Sequence, residues 1–180
     1  NMLPLSKNIK QIAVIGYNAE RKQSMGGGSS QIRAFYEITP LAGIKNLVGK
    51  KTTVTYTQGY EIRRGATANK TMIEEAVAAA KKADVVVVVG GWTHGFRYDV
   101  WSDNAYDAED YDKPDMNMPF GQDELIKAVQ QANPKTVVVL MGGGAIDMTQ
   151  WIGQAPAIVQ AWYPGMEGGN ALAKTLFGDI

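Results

Sequence analysis

Short apolar runs recur along the chain and predict buried β-strands. The first runs are residues 12–15, 52–56 and 85–89, the last of these an unbroken run of valines. An apolar run that does not alternate with polar residues is typical of a strand covered on both faces, as in a parallel sheet. Two further strands are predicted at residues 136–141 and 157–159.

Between the strands, apolar residues recur every three or four positions, which predicts amphipathic helices. Thr39 is expected to cap the first helix, with Pro40 as its first residue and Gly49 at its end. Thr71 and Glu74 match a capping box and predict the start of a second helix. Apolar stripes predict two more helices, at Leu125, Ile126, Val129 and Ala132 and at Leu172, Ala173, Leu176 and Phe177.

Strands that alternate with helices form right-handed βαβ units. The sequence therefore predicts one α/β domain over residues 1–180, with a mostly parallel sheet of about five to six strands sandwiched by helices in a flavodoxin-like layered arrangement. Ligands of such open sheets bind beyond the carboxyl ends of the strands. Function is expected in the segments that leave those ends.

Composition and charge exclude several classes of function. Lys plus Arg and Asp plus Glu are both 18, so the net charge is zero, and neither nucleic acid nor an acidic membrane surface is expected as a partner. The chain has no cysteine, which excludes disulfides and thiolate metal sites. No apolar stretch has the length of a membrane span. The first ten residues lack the features of a signal peptide, and the chain is expected to be an internal piece of a longer protein.

A glycine-rich segment, residues 25–30, follows the first predicted strand. Its three consecutive glycines allow a close approach of the backbone to a ligand, and the hydroxyls of Ser29 and Ser30 can donate or accept hydrogen bonds. A flexible surface loop is an equally good interpretation. No G-x-G-x-x-G leads into a helix, and no Gly-Lys-Ser/Thr follows the glycines, so no nucleotide cofactor is predicted.

The long segment at residues 90–119 is rich in aromatic and acidic residues. Aromatic rings stack on sugars, and carboxylates bind hydroxyls or transfer protons, so this composition favours a carbohydrate site. An ordered loop with solvated acids is the alternative. A Ca²⁺ loop built from Asp107, Asp110 and Asp112 ranks lower, because the EF-hand glycine is missing.

His94 is the single histidine of the chain. One histidine is too few for the common zinc sites, so no metal is predicted, and no Ser-His-Asp triad can be assembled around it. His94 remains a candidate for substrate contact, with a structural or solvent-exposed role as the simpler interpretation. The segment at residues 161–169 is expected to be structural, since Glu167 near a helix start favours the helix dipole, although a wall of the cleft or an interdomain contact is also open.

Taken in order and spacing, these segments resemble glycoside hydrolase family 3, and specifically its second, α/β sandwich domain. The matching stretches are residues 3–5, 12–19, 26–30, 83–90, 118–122, 133–140, 161–171 and 176–179. The resemblance implies a retaining glycosidase, which uses two carboxyl groups. It also implies a barrel domain that precedes this one and supplies the aspartate nucleophile.

In many members of the family this second domain supplies the acid/base glutamate, and the matching residue here is Glu109. Asp110 stands where the family usually has glycine, and Lys113 where it usually has arginine. Neighbouring carboxylates would raise the pKa of Glu109 and Lys113 would lower it, and the sequence leaves open which effect dominates.

The resemblance further implies that Gly28, Ser29 and Ser30 line the mouth of the cleft. Trp92 and Trp101 are expected to stack on the leaving-group side of the substrate, with His94 close to it.

The implied function is that of the second domain of a β-glucosidase-like enzyme, which hydrolyses β-linked glucosides or oligosaccharides without a cofactor. By analogy with the family, the enzyme is expected to be periplasmic or secreted. Without the barrel, its partner within the same protein, the domain is expected to be inactive. The alternative is a non-catalytic module that binds carbohydrate or packs between domains.

Overall fold

The computed structural model describes residues 2–31, 33–97, 103–109 and 111–180. Within these ranges five strands form a single parallel sheet in the order β2-β1-β3-β4-β5. The strands are β1 (Gln11–Ile15), β2 (Thr53–Thr57), β3 (Val85–Gly91), β4 (Thr136–Met141) and β5 (Ala157–Gln160). The predicted α/β class and flavodoxin-like layering are confirmed, and this strand order is that of flavodoxin-like folds.

Four α-helices in the described ranges cover the two faces of the sheet. They are α1 (Pro40–Val48), α2 (Lys70–Lys82), α3 (Gln122–Ala132) and α4 (Gly168–Phe177). Helices α1 and α4 lie on one face, and α2 and α3 lie on the other. None of the helices among these residues is both long and apolar enough to cross a membrane.

The valine run of β3 shows why both faces need helices. Val85, Val87 and Val89 join the core under α1 and α4, whereas Val86 and Val88 join the core under α2 and α3. Successive side chains of a strand point to opposite faces, so an all-apolar strand must be covered twice.

The predicted start of α1 is confirmed. The Thr39 hydroxyl accepts a hydrogen bond from the amide of Ala42 at 3.3 Å, and Pro40 is the first helical residue. The predicted start of α2 is wrong. Asn69 caps that helix by accepting from the amide of Met72 at 3.2 Å, and Thr71 lies inside the first turn. Asparagine is as good an N-cap as serine or threonine, and here it is the residue with the extended backbone that a cap requires.

The strand order creates a crevice above β1 and β3. These two strands are neighbours, and β2 lies on the outer side of β1 while β4 lies on the outer side of β3. Connections that leave β1 and β3 therefore diverge, which is the switch point where open α/β sheets bind ligands.

The segment that leaves β3 begins at Trp92, two residues later than predicted. The buried side chain of Gln122 fixes this end of the strand, since it accepts from the Gly91 amide at 2.8 Å and donates to the Gly91 carbonyl at 2.9 Å.

Candidate active site

The segments that leave β1 and β3 meet through Ser29 and Glu109. The Ser29 hydroxyl donates to Oε1 of Glu109 at 2.7 Å, and the Ser29 amide donates to Oε2. Ser29 lies in a 3₁₀ turn, Gly28–Ser30, and Glu109 lies 80 residues later in the acidic segment. The fold thus brings together two residues that the sequence singled out separately.

The glycines before Ser29 make this close approach possible. Gly27 and Gly28 have φ angles of 76° and 61°, in the region that favours glycine. A methyl group on Gly28 would overlap the Glu109 carboxylate, and one on Gly27 would overlap the His94 ring. The glycine-rich segment is therefore shaped to the acidic segment of its own domain.

Hydrogen bonds control the charge state of Glu109. Its carboxylate is solvent-exposed, and the hydroxyl and amide of Ser29 hold its pKa below the usual range, with a smaller lowering from His94. Lys113, which the sequence offered as a neighbour, pairs with Asp107 at 2.8 Å instead. In this domain Glu109 is an ionised carboxylate at neutral pH.

Asp107 anchors the acidic segment two residues before Glu109. Its Oδ2 atom accepts from the Gly143 amide at 2.7 Å and from the Tyr163 hydroxyl, and its Oδ1 atom pairs with Lys113. The segment is thereby tied to the loops after β4 and β5. These contacts leave Asp107 poorly placed to bind a cation, and no group of three metal-ligating side chains lies together among the described residues.

The position of Trp92 corrects the expectation that it stacks on a sugar. Its side chain is 1% exposed, because Trp92 directly continues β3, where its amide donates to the Met141 carbonyl at 2.7 Å. Its ring packs against Tyr106 at 6.0 Å between centroids and beneath the Lys113 ammonium at 4.7 Å. Trp92 is therefore part of the support below the acidic segment.

The other predicted substrate contacts differ in their surroundings. Trp101, like Asp110, lies outside the described residues. Ser30 donates to the Gly27 carbonyl at 2.6 Å and so closes the glycine turn. His94 lies against Gly27, and its carbonyl accepts from the Ala105 amide at 2.8 Å. Contact with substrate stays a prediction for Gly28, Ser29, Ser30 and His94.

An open cleft of about 720 Å³ borders Glu109, within the range of small-molecule sites. Ser29, Ser30 and Trp162 also line it. Trp162 follows β5, is 57% exposed and has a φ of 56°, which is unusual for a bulky residue. Its segment was expected to be structural, with a wall of the cleft as an alternative, and an aromatic residue two positions after the end of β5 was a usable signal.

The whole chain, residues 1–180, matches the model of the glycosyl hydrolase family 3 C-terminal domain. The chain belongs to this family. The family 3 domain is 35% identical, over 189 aligned positions, to "Beta-glucosidase BoGH3A" of Bacteroides ovatus, which covers 99% of this chain. It is also 35% identical to "Periplasmic beta-glucosidase" of Salmonella typhimurium, over 98% of this chain.

A solved structure has the same fold. The Bifidobacterium adolescentis GH3 β-glucosidase matches 99% of the family 3 domain with a TM-score of 0.81 and 34% identity. The domain spans 24% of the length of this structure and 24% of each of the two curated relatives. The family resemblance and the fold that it implied are thus confirmed.

Proposed function

We propose that this domain supplies Glu109 as the acid/base of a retaining, β-glucosidase-like enzyme whose nucleophile lies in a preceding barrel domain. The observation that carries the proposal is the Glu109 carboxylate itself. It is exposed at the edge of a cleft, at the switch point of the sheet. It accepts two hydrogen bonds from the glycine-rich turn that follows the neighbouring strand.

Each reaction step gives Glu109 a defined task. The nucleophile attacks the anomeric carbon while Glu109 donates its proton to the glycosidic oxygen, which leaves with the aglycone. Glu109, now a carboxylate, then takes a proton from water as that water releases the sugar from the nucleophile. The cycle needs no metal or organic cofactor.

The lowered pKa of Glu109 in this domain indicates that the barrel must add a group that raises this pKa. A proton donor needs a raised pKa, whereas Ser29 lowers the pKa of Glu109. In retaining enzymes the two carboxyl groups are about 5–5.5 Å apart, and a like charge at that distance raises the pKa of the acid. The domain without the barrel is accordingly expected to be inactive.

The substrate class is proposed to be β-linked glucosides or oligosaccharides, in line with the names of the relatives. Trp162 has an exposed ring on the cleft and replaces Trp92 as our candidate for stacking on the leaving-group side. The name of the Salmonella typhimurium relative supports a periplasmic location, and a periplasmic or secreted parent enzyme is part of the proposal.

The test uses the parent enzyme with its barrel and aryl β-glucosides with good and poor leaving groups. A good leaving group needs no proton in the first step, so Glu109→Ala should lower kcat/KM for the poor substrate by roughly 10²–10⁴-fold and kcat/KM for the good one far less. Asp112→Ala, an exposed acid of the same segment, is the matched control.

Equal rates for Glu109→Ala and wild type on both substrates would overturn the assignment. The domain would then be better described as a non-catalytic module that binds carbohydrate or packs between domains. Sugar binding that survives loss of the Glu109 carboxylate would support that second interpretation.

A further inference from the structure

We infer that Ser29 is a positioning residue for Glu109, which orients the acid/base carboxylate through one hydrogen bond to each of its oxygens. This inference rests on the proposed function and deepens it. It also gives Ser29 a partner within the domain, whereas the family resemblance suggested only a place near the substrate.

Ser29 holds the Glu109 carboxylate by two hydrogen bonds. One residue provides two donors, and each donor reaches a different oxygen of Glu109. Two hydrogen bonds to the two oxygens define the plane of the carboxylate, whereas a single bond would leave it free to turn. An exposed glutamate side chain otherwise samples several rotamers. The two hydrogen bonds restrict these rotamers and keep the carboxylate in an orientation suited to proton transfer.

The turn that presents Ser29 is itself well supported. The Gln31 amide donates to the Gly28 carbonyl at 3.0 Å, and Ser30 donates to the Gly27 carbonyl at 2.6 Å. Near the start of the segment, the Ser24 carbonyl accepts from the Gly165 amide at 2.8 Å. The two adjacent serines therefore differ in function, since Ser30 closes the turn and Ser29 faces Glu109.

The two donors of Ser29 have different chemistry. The backbone amide can only donate, so Oε2 of Glu109 must remain an acceptor as long as its hydrogen bond from the Ser29 amide is present. The hydroxyl can donate or accept, so it is compatible with both the ionised and the protonated carboxyl group. The Ser29 hydroxyl can therefore stay hydrogen-bonded to Oε1 in both protonation states of Glu109.

The experiment measures the pH dependence of kcat/KM in the parent enzyme. The basic limb of that profile reports the acid group of the free enzyme. Ser29→Ala removes a donor to the carboxylate, so the basic limb should move to higher pH. The same variant should slow cleavage of a poor leaving group roughly 10-fold, a smaller loss than removal of the acid/base itself.

Two further variants separate positioning from a general structural effect. Ser29→Thr keeps the hydroxyl and should return the basic limb to its wild-type position. Ser30→Ala removes the neighbouring hydroxyl and should leave the limb in place, whatever its effect on turnover. Formation of the glycosyl-enzyme from an aryl glycoside with a good leaving group needs no proton from Glu109, so a retained kcat/KM for that substrate shows that each variant is folded.

The outcomes distinguish this inference from the proposed function. If Glu109→Ala shows the selective loss on poor leaving groups but Ser29→Ala leaves both the basic limb and that selectivity unchanged, the inference about Ser29 is wrong and the function stands. If Glu109→Ala shows no selective loss, the proposed function is wrong and the role of Ser29 falls with it.

Discussion

Gly28 and Glu109 fit together so closely that the carboxylate of Glu109 occupies the space where a side chain on Gly28 would begin. Gly28 has a φ of 61°, so its backbone also adopts a conformation that other residues rarely take. Position 28 therefore requires glycine for two independent reasons, the positive φ and the lack of space for a side chain, and each can be tested separately.

Gly28→Ala should destabilise the chain and displace Glu109. The positive φ costs about 1–2 kcal/mol for alanine, and the added methyl group must also push the carboxylate away. Gly65→Ala is the control, because Gly65 also has a positive φ, of 71°, and nothing lies within 4 Å of its missing side chain. In urea unfolding both variants should lose stability. In the parent enzyme only Gly28→Ala should lose activity on poor leaving groups, and equal activity of the two variants would contradict the fit described above.

Trp92 and Trp162 should respond in opposite ways to replacement by alanine. Trp92 is buried, so Trp92→Ala should cost about 3–5 kcal/mol in the free energy of unfolding. Trp162 is mostly exposed, so Trp162→Ala should change the stability of this chain little.

Stacking is worth about 0.5–1.5 kcal/mol, so Trp162→Ala should raise the KM of the parent enzyme for an aryl glucoside roughly 2–10-fold. An unchanged KM would remove Trp162 from the substrate site.

Asp107→Asn should loosen the acidic segment. The change removes the ion pair with Lys113, whose side chain is only 21% exposed, and leaves that ammonium group without its charged partner. We expect a loss of about 2–3 kcal/mol in the free energy of unfolding. Asp112→Asn alters an exposed acid of the same segment and should stay within about 0.5 kcal/mol of wild type. Comparable losses in the two variants would show that Asp107 is not the anchor.

Two aspartates that do not line the cleft should give stability opposite dependences on pH. The amides of Gln11 and Lys10 donate to Asp84 at 2.9 Å and lower its pKa. Asp84 therefore contributes stability above the usual aspartate pKa, and this contribution is lost as the pH falls through the lowered value. Asp84→Asn should destabilise the chain near neutral pH, and the deficit should shrink in acid.

Asp123 is the opposite case, since burial raises its pKa even though it accepts from Trp151 Nε1 at 2.8 Å. A raised pKa means that the charged form is penalised in the folded state as the pH rises through the raised value. Asp123→Asn keeps an acceptor for Trp151, so its stability relative to wild type should improve with rising pH. Urea midpoints between about pH 3 and 7 check both aspartates, and slopes of the same sign would contradict the assigned causes.

The sequence by itself determined the class of the fold and most of its elements. The valine run at residues 85–89 and the Thr39-Pro40 start of α1 are local signals, because strand period and helix capping depend on residues only a few positions apart. The one wrong helix start, at Thr71 rather than Asn69, is also local, because two good capping residues compete within one turn. The family resemblance further singled out Glu109 and Ser29, each within its own motif.

Only the tertiary structure decided which of these residues meet. Ser29 and Glu109 are 80 positions apart, and their contact depends on β1 and β3 being neighbours in the sheet. The burial of Trp92 depends on β3 extending to Gly91, and the pairing of Lys113 with Asp107 depends on how the acidic segment folds back. Strand order and loop conformation are set by the packing of the whole core, so no local pattern in the sequence could reveal these partners.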